Sequence, residues 1–156
     1  MPRDPGWEAR VRDSFARQPF MAMLGAEMTA LSPGACSILL PRRADLLQHP
    51  GFIHGGAVAS LADTACGYAA FTLFPAGATI LTVEMKINFL SAADGEALVA
   101  RAAVKRAGRT LTVVAGDLFA LKGSTETIAA TALVTMMCLE ARHDGPKVTP
   151  AKETRR

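Results

Sequence analysis

The run HGGAVASLADTACGYAA, residues 54–70, decides how the rest of the chain is arranged. At about 100° per residue, Val58, Leu61, Ala62, Ala65, Cys66 and Ala69 gather in one apolar stripe, the face of a helix that buries against a sheet. Asp63 falls outside that stripe, on a second face with Gly56, Ala59, Ser60, Gly67 and Ala70. These neighbours are almost all small, so another backbone or a substrate can come close. A helix that merely covered a core would expose long charged side chains there, yet the run holds no Lys, Arg or Glu. Both faces are used.

The helix is expected from about Gly55 to Leu73. Two adjacent glycines at its mouth leave backbone amides bare where the helix dipole is positive, which suits an oxyanion. Asp63, two turns on, then reads as a catalytic carboxylate. Gly55 and Asp63 are eight residues apart, roughly 12 Å along a helix axis, so one carbonyl carbon cannot meet both within one chain. If both act on one bond, a second copy of the helix runs antiparallel to the first and pairs Gly55 of one subunit with Asp63 of the other. That is a two-fold dimer with two equivalent sites. Plainer readings exist for each residue alone: the glycines as a turn, the aspartate as a solvated charge, His54 as the residue that fixes the helix start rather than a proton shuttle. The combination is more specific than its parts, and His54 stays among the candidate catalytic residues.

Working outward, residues 7 to 17 carry an amphipathic helix with Trp7, Val11 and Phe15 at helical spacing. Met21 to about Ala30 and Ala35 to Leu40, separated by Ser32-Pro33-Gly34, read as a hairpin. Leu46 to Ile53 is a loop that delivers Gln48 to the helix start. Beyond Pro75-Ala76-Gly77 the period changes to two: Leu81, Val83, Met85, Ile87 and Phe89 alternate with Thr82, Glu84, Lys86 and Asn88, as in a strand with one buried face. Asp94-Gly95 turns into a strand over 96–106, Gly108 breaks to 110–121, and Gly123-Ser124 turns into 126–139. The connections within 80–139 are short enough only for hairpins, so no parallel crossover is expected. The layout is α+β, an antiparallel sheet wrapped around one long central helix. Residues 1–17 form an N-terminal helical extension, 18–140 the domain, and 141–156, with Pro146 and Pro150, a flexible tail.

Composition narrows the function. The chain has 156 residues, 50% hydrophobic, 20% charged and 6% aromatic. This fits one globular domain and leaves few stacking platforms for nucleic acid. The net charge of +3 is concentrated in Arg42-Arg43, in Lys105, Arg106 and Arg109, and in Lys152, Arg155 and Arg156. Such clusters are commonly solvated, but the 105–109 group could hold the phosphates of a nucleotide-bearing substrate. Cys36, Cys66 and Cys138 lie far apart without a CxxC pair, and His49, His54 and His143 do not cluster, so neither a disulfide framework nor a metal site is suggested. The amino terminus is too charged for a secretory signal and no apolar run spans a membrane, which makes a reducing cytoplasm the expectation.

Gln48, His54-Gly55-Gly56, Leu61-Ala62-Asp63, TVEMKINFLSAADGEAL from Thr82 to Leu98, and Gly108-Arg109 together resemble the hotdog-fold acyl-CoA thioesterases, specifically the PaaI-like, phenylacetyl-CoA branch. The resemblance covers roughly residues 15 to 138. It implies a hotdog dimer whose two sheets join into one, commonly paired again into a homotetramer, with sites at the dimer interface and no cofactor. It implies that Asp63 is the general base or nucleophile and that the Gly55 amide forms the oxyanion hole. It further implies that Gln48 orients the thioester or water and that the Thr82 hydroxyl helps to hold the water. Gly56, Lys105, Arg106 and Arg109 are the candidate substrate-binding residues. A thioester needs an attacking oxygen, a place for negative charge and little acid help, because a thiolate leaves easily. Two other readings compete. An acyl dehydratase on this fold would pair a His with a carboxylate on a β-hydroxyl, but here His54 runs directly into glycines. A non-catalytic acyl-CoA-binding module would have no use for Asp63 with Gly55.

Overall fold

The computed structural model describes residues 1–140; the expected tail 141–156, with Lys152, Arg155, Arg156 and His143, lies outside the described residues. In chain order the elements are α1 (Trp7–Ala16), α2 (Pro19–Leu24), β1 (Glu27–Ser32), β2 (Ala35–Pro41), a short 3-10 turn (Ala44–Leu46), α3 (Gly55–Phe71), β3 (Thr79–Phe89), β4 (Ala97–Ala107), β5 (Leu111–Lys122) and β6 (Thr125–Leu139). The strands form one six-stranded sheet in the order β1-β2-β4-β5-β6-β3, every pair antiparallel. This sheet wraps α3, as expected from the sequence.

The apolar stripe does what its spacing requires: Val58, Leu61, Ala62, Ala65, Cys66 and Ala69 are all buried. The helix comes very close to the sheet at Gly116 of β5, where a Cβ would lie 2.8 Å from the Cys66 Sγ. A side chain there would push helix and sheet apart.

Three local expectations change. Met21–Leu24 is helical rather than extended, because Pro19 occupies the first helical turn and Gly25 takes a left-handed C-cap at φ 74°. Strands β3 and β4 are not hairpin partners: β3 pairs β6 at the far edge, and residues 90–96 carry the chain past the ends of β6 and β5 to reach β4. Seven residues can cross three strand spacings of about 4.8 Å each. Gly95 permits this crossing, since a Cβ there would collide with the Leu121 carbonyl oxygen.

The third change concerns the alternation of β3. Register slips between Thr82 and Glu84, leaving Val83 as an extra bulged residue. Before the bulge Ile80 and Thr82 pair with the inward positions Cys138 and Met136; after it Met85, Ile87 and Phe89 pair with the inward Val134, Ala132 and Ala130. Leu81 and Val83, expected on a buried face, are therefore 55% and 52% exposed on an edge strand, and Phe89, expected on that face too, lies beside Gly55 at the strand's end but is 56% exposed.

Candidate active site

The start of α3 shows which amide is free. His54 is in extended conformation at the N-cap, and its Nδ1 accepts a hydrogen bond from the Gly56 amide at 2.9 Å. Its carbonyl accepts from the amides of Ala57 at 2.9 Å and Val58 at 3.1 Å. Of the four first-turn donors, only the Gly55 N–H has no partner among the described residues. His54 thus holds the helix start and occupies Gly56, and Gly55 alone offers an uncommitted donor at the positive end of the dipole. A Cβ at Gly55 would stand 3.5 Å from the Phe89 ring, so the residue borders a space bounded by that ring.

That space is a cavity of about 210 Å³ that Gly55 and Gln48 line together with Phe89, Ser91 and Ala129. Gln48 reaches it from a tight turn in which the Gly51 amide donates to the Gln48 carbonyl at 2.8 Å, with Gly51 at φ 87°. The His54 amide donates to the Leu46 carbonyl at 2.8 Å and closes the loop.

Asp63 lines a different cavity of about 290 Å³, with Thr82, Gly67, Tyr68 and Met136. The two cavities have no lining residue in common. Thr82 Oγ1 donates to Asp63 Oδ1 at 2.6 Å, a bond the Val83 bulge makes possible by keeping Thr82 turned toward the helix. The nearby hydroxyls of Ser60 and Thr64 are tied to helix carbonyls one turn back, Gly56 and Ser60, at 2.8 Å each. They leave Asp63 Oδ2 without a partner among the described residues, and no cation there pairs with this carboxylate. One oxygen is positioned and the other is open to a proton.

The cysteines stand apart from this chemistry. Burial pushes the Cys36 and Cys66 thiols up to about 12, so neither supplies a thiolate near neutrality. Lys105, Arg106 and Arg109 are exposed around the β4–β5 hairpin, Lys105 being the extra residue of a bulge between Val104 and Arg106. None lines either cavity within one chain, and none is in an ion pair among the described residues.

Of the residues expected from the sequence, the structure brings Gln48 to one cavity with Gly55 and Thr82 to another with Asp63. Sequence reasoning passed over Gln18 and Tyr68, which line the Asp63 cavity. A signal existed for Tyr68, the one large side chain on the run's C-terminal half.

Comparison with known proteins follows the same lines. The Thioesterase superfamily model matches residues 50–127, half of the chain. A solved thioesterase family protein from Silicibacter pomeroyi is 47% identical, with a TM-score of 0.85 over 86% of this chain and 99% of that one. The Escherichia coli PaaI protein of the phenylacetic acid degradation operon shares the fold, with a TM-score of 0.78 over 88% of this chain and 96% of that one at 20% identity. A Halobacterium salinarum protein assigned as an esterase is 33% identical over 98 residues, 60% of this chain and 64% of that relative's length.

Proposed function

The chain belongs to the thioesterase superfamily, and from that premise we propose that it hydrolyses an acyl-CoA thioester to a carboxylic acid and free coenzyme A. Each of two equivalent sites is completed by a second copy of the chain. One observation carries this reading: the free Gly55 amide and the Asp63 carboxylate sit in separate cavities of one protomer. The edge position of β3, with Leu81 and Val83 exposed, supports a second copy covering that edge. Leu111 and Leu133 are also exposed, which supports a further pairing into a tetramer.

In the assembled site the thioester carbonyl oxygen lies on the Gly55 amide of one protomer, beside Gln48. Asp63 of the other, oriented by Thr82, takes a proton from water through Oδ2 as the water oxygen bonds to the carbonyl carbon. The oxyanion forms on the Gly55 amide, the C–S bond breaks, and the proton passes from Asp63 to the leaving thiolate. Direct attack by Asp63 through an anhydride is the other route, told apart by whether heavy oxygen from water enters the carboxylate in a single turnover. Lys105, Arg106 and Arg109 hold coenzyme A phosphates in this reading. Arg109→Ala therefore raises KM severalfold for a CoA thioester with little change in kcat, and leaves a pantetheine thioester unaffected; equal losses on both substrates refute that role.

The decisive experiment mixes two inactive proteins. Asp63→Asn removes the base, at a cost of about a hundredfold or more. Gly55→Pro removes the amide and suits a first helical position. Unfolding and refolding an equal mixture puts half of the chains in mixed dimers, each with one intact Asp63 facing one intact Gly55. Thiol release should return to about a quarter of the wild-type rate on random association. No recovery in demonstrated mixed dimers defeats the two-chain site.

A further inference from the structure

Gly67 stands in the interior of α3, one turn past Asp63. A glycine there costs about 0.5–1 kcal/mol against alanine, so it needs a reason. Packing within the protomer supplies none. A Cβ at Gly67 would sit 3.6 Å from Met136 Cε and 3.9 Å from Ile80 Cδ1, ordinary contact, quite unlike the crowding at Gly116. What a side chain at 67 would occupy is the Asp63 cavity itself.

The far end of that cavity is built rather than open. Gln18 is the N-cap of α2, yet its side chain makes no capping bond. Instead its Nε2 donates to the Tyr68 hydroxyl at 2.9 Å, and Ser14 Oγ lies 3.3 Å from the same oxygen. The Phe15 ring packs edge-on against Tyr68 with centroids 5.5 Å apart. The Tyr68 wall is therefore fixed by α1 and by the residue that opens α2. No Lys or Arg lines the cavity, so it offers the phosphates of a nucleotide nothing, while Phe20, Ile80, Leu81 and Met136 offer an apolar group a surface.

Resting on the thioesterase reading, we propose that this cavity is the acyl chamber and that Gly67 and the Gln18–Tyr68 pair set its length. The acyl group runs from the carbonyl at Asp63 past Gly67 and stops at Tyr68. The five residues from 63 to 68 advance about 7.5 Å along α3, which admits roughly six carbons beyond the carbonyl, or one ring, and excludes long chains.

The test measures kcat/KM on a straight-chain acyl-CoA series from acetyl to palmitoyl, for the wild type, Gly67→Ala, Gly67→Leu and Gln18→Ala. Filling the chamber at 67 should move the optimum to shorter chains, with octanoyl losing about tenfold relative to butanoyl in Gly67→Leu. Gly67→Ala shifts the same way by less, and because alanine favours the helix it melts no lower than wild type, which guards against misfolding of the larger variant. Gln18→Ala loosens the end wall and should move the optimum to longer chains. Opposite shifts support the chamber. Wild-type turnover with an unshifted profile in all variants overturns it and leaves the thioesterase reading standing; no wild-type turnover on any thioester overturns both.

Discussion

The two ends of α3 treat the same backbone groups in opposite ways. At the C-terminal end each carbonyl from Tyr68 to Phe71 finds a donor. The Thr72 hydroxyl donates to the Ala69 carbonyl at 2.7 Å, and Arg10 Nη2 donates to the carbonyls of Phe71 at 3.3 Å and Phe74 at 3.0 Å. Asp4 holds the same guanidinium at 2.7 Å on Nε, and the Phe71 ring lies under it at 4.2 Å. Phe71, Thr72 and Phe74 are buried. At the N-terminal end one amide is left bare beside an exposed His54. A cation against the negative end of a helix dipole stabilises the fold, whereas an unpaired donor at the positive end stabilises nothing until a negative charge arrives. On the proposed reading, one end serves stability and the other chemistry.

Gly55→Pro should have the largest effect that separates the ends. Removing a single oxyanion donor costs about 10²–10³ in kcat. Proline fits the first helical turn, so the melting temperature should stay within a few degrees of wild type. A fall in stability as large as the fall in rate would mean that this end is structural after all.

A smaller effect is expected at the partner of the carboxylate. Thr82→Val keeps the shape and deletes the hydroxyl that donates to Asp63 Oδ1. Turnover should drop about tenfold with little change in KM, the size expected for one hydrogen bond to a charged group. Thr82→Ser should retain most of the rate. If valine and serine behave alike, the hydroxyl does not position Asp63.

The legibility of the molecule divides along the same helix. Its apolar stripe, the glycines, Asp63 and the strands after it could be read because each depends on local spacing: period 3.6 in residues 54–70 and period two beyond 79. Long-range partners escaped. Nothing near Arg10 announces that it will meet carbonyls 61 and 64 residues away, and nothing in β3 announces that it crosses to the far edge. The bulge at Val83 escaped too, because the sequence keeps alternating while the backbone slips by one. Without that slip, Thr82 and Phe89 could not both face α3. The Pro19 and Gly25 signals of α2 were present and were outweighed by the apolar residues between them.

The smallest effects belong to the C-terminal end and should appear in stability alone. Arg10→Met removes the guanidinium and should cost about 2 kcal/mol, roughly 4–8 °C in melting temperature, with kcat/KM unchanged. Asp4→Asn separates the ion pair from the carbonyl bonds. The Arg10 guanidinium, hydrogen-bonded to Asp4, holds that carboxyl below its ordinary value. A carboxylate depressed by folding contributes stability in full above its unfolded value, near pH 4, and loses that contribution as pH falls through and below it. The gap in melting temperature between wild type and Asp4→Asn should therefore be constant from pH 6 to 8, and close on acidification below about pH 4, where protonated Asp4 resembles asparagine. The gap to Arg10→Met should narrow over the same range without closing, because hydrogen bonds to the carbonyls of Phe71 and Phe74 do not titrate. A gap to Asp4→Asn that persists undiminished at pH 3 would show that the residue does not act through its charge.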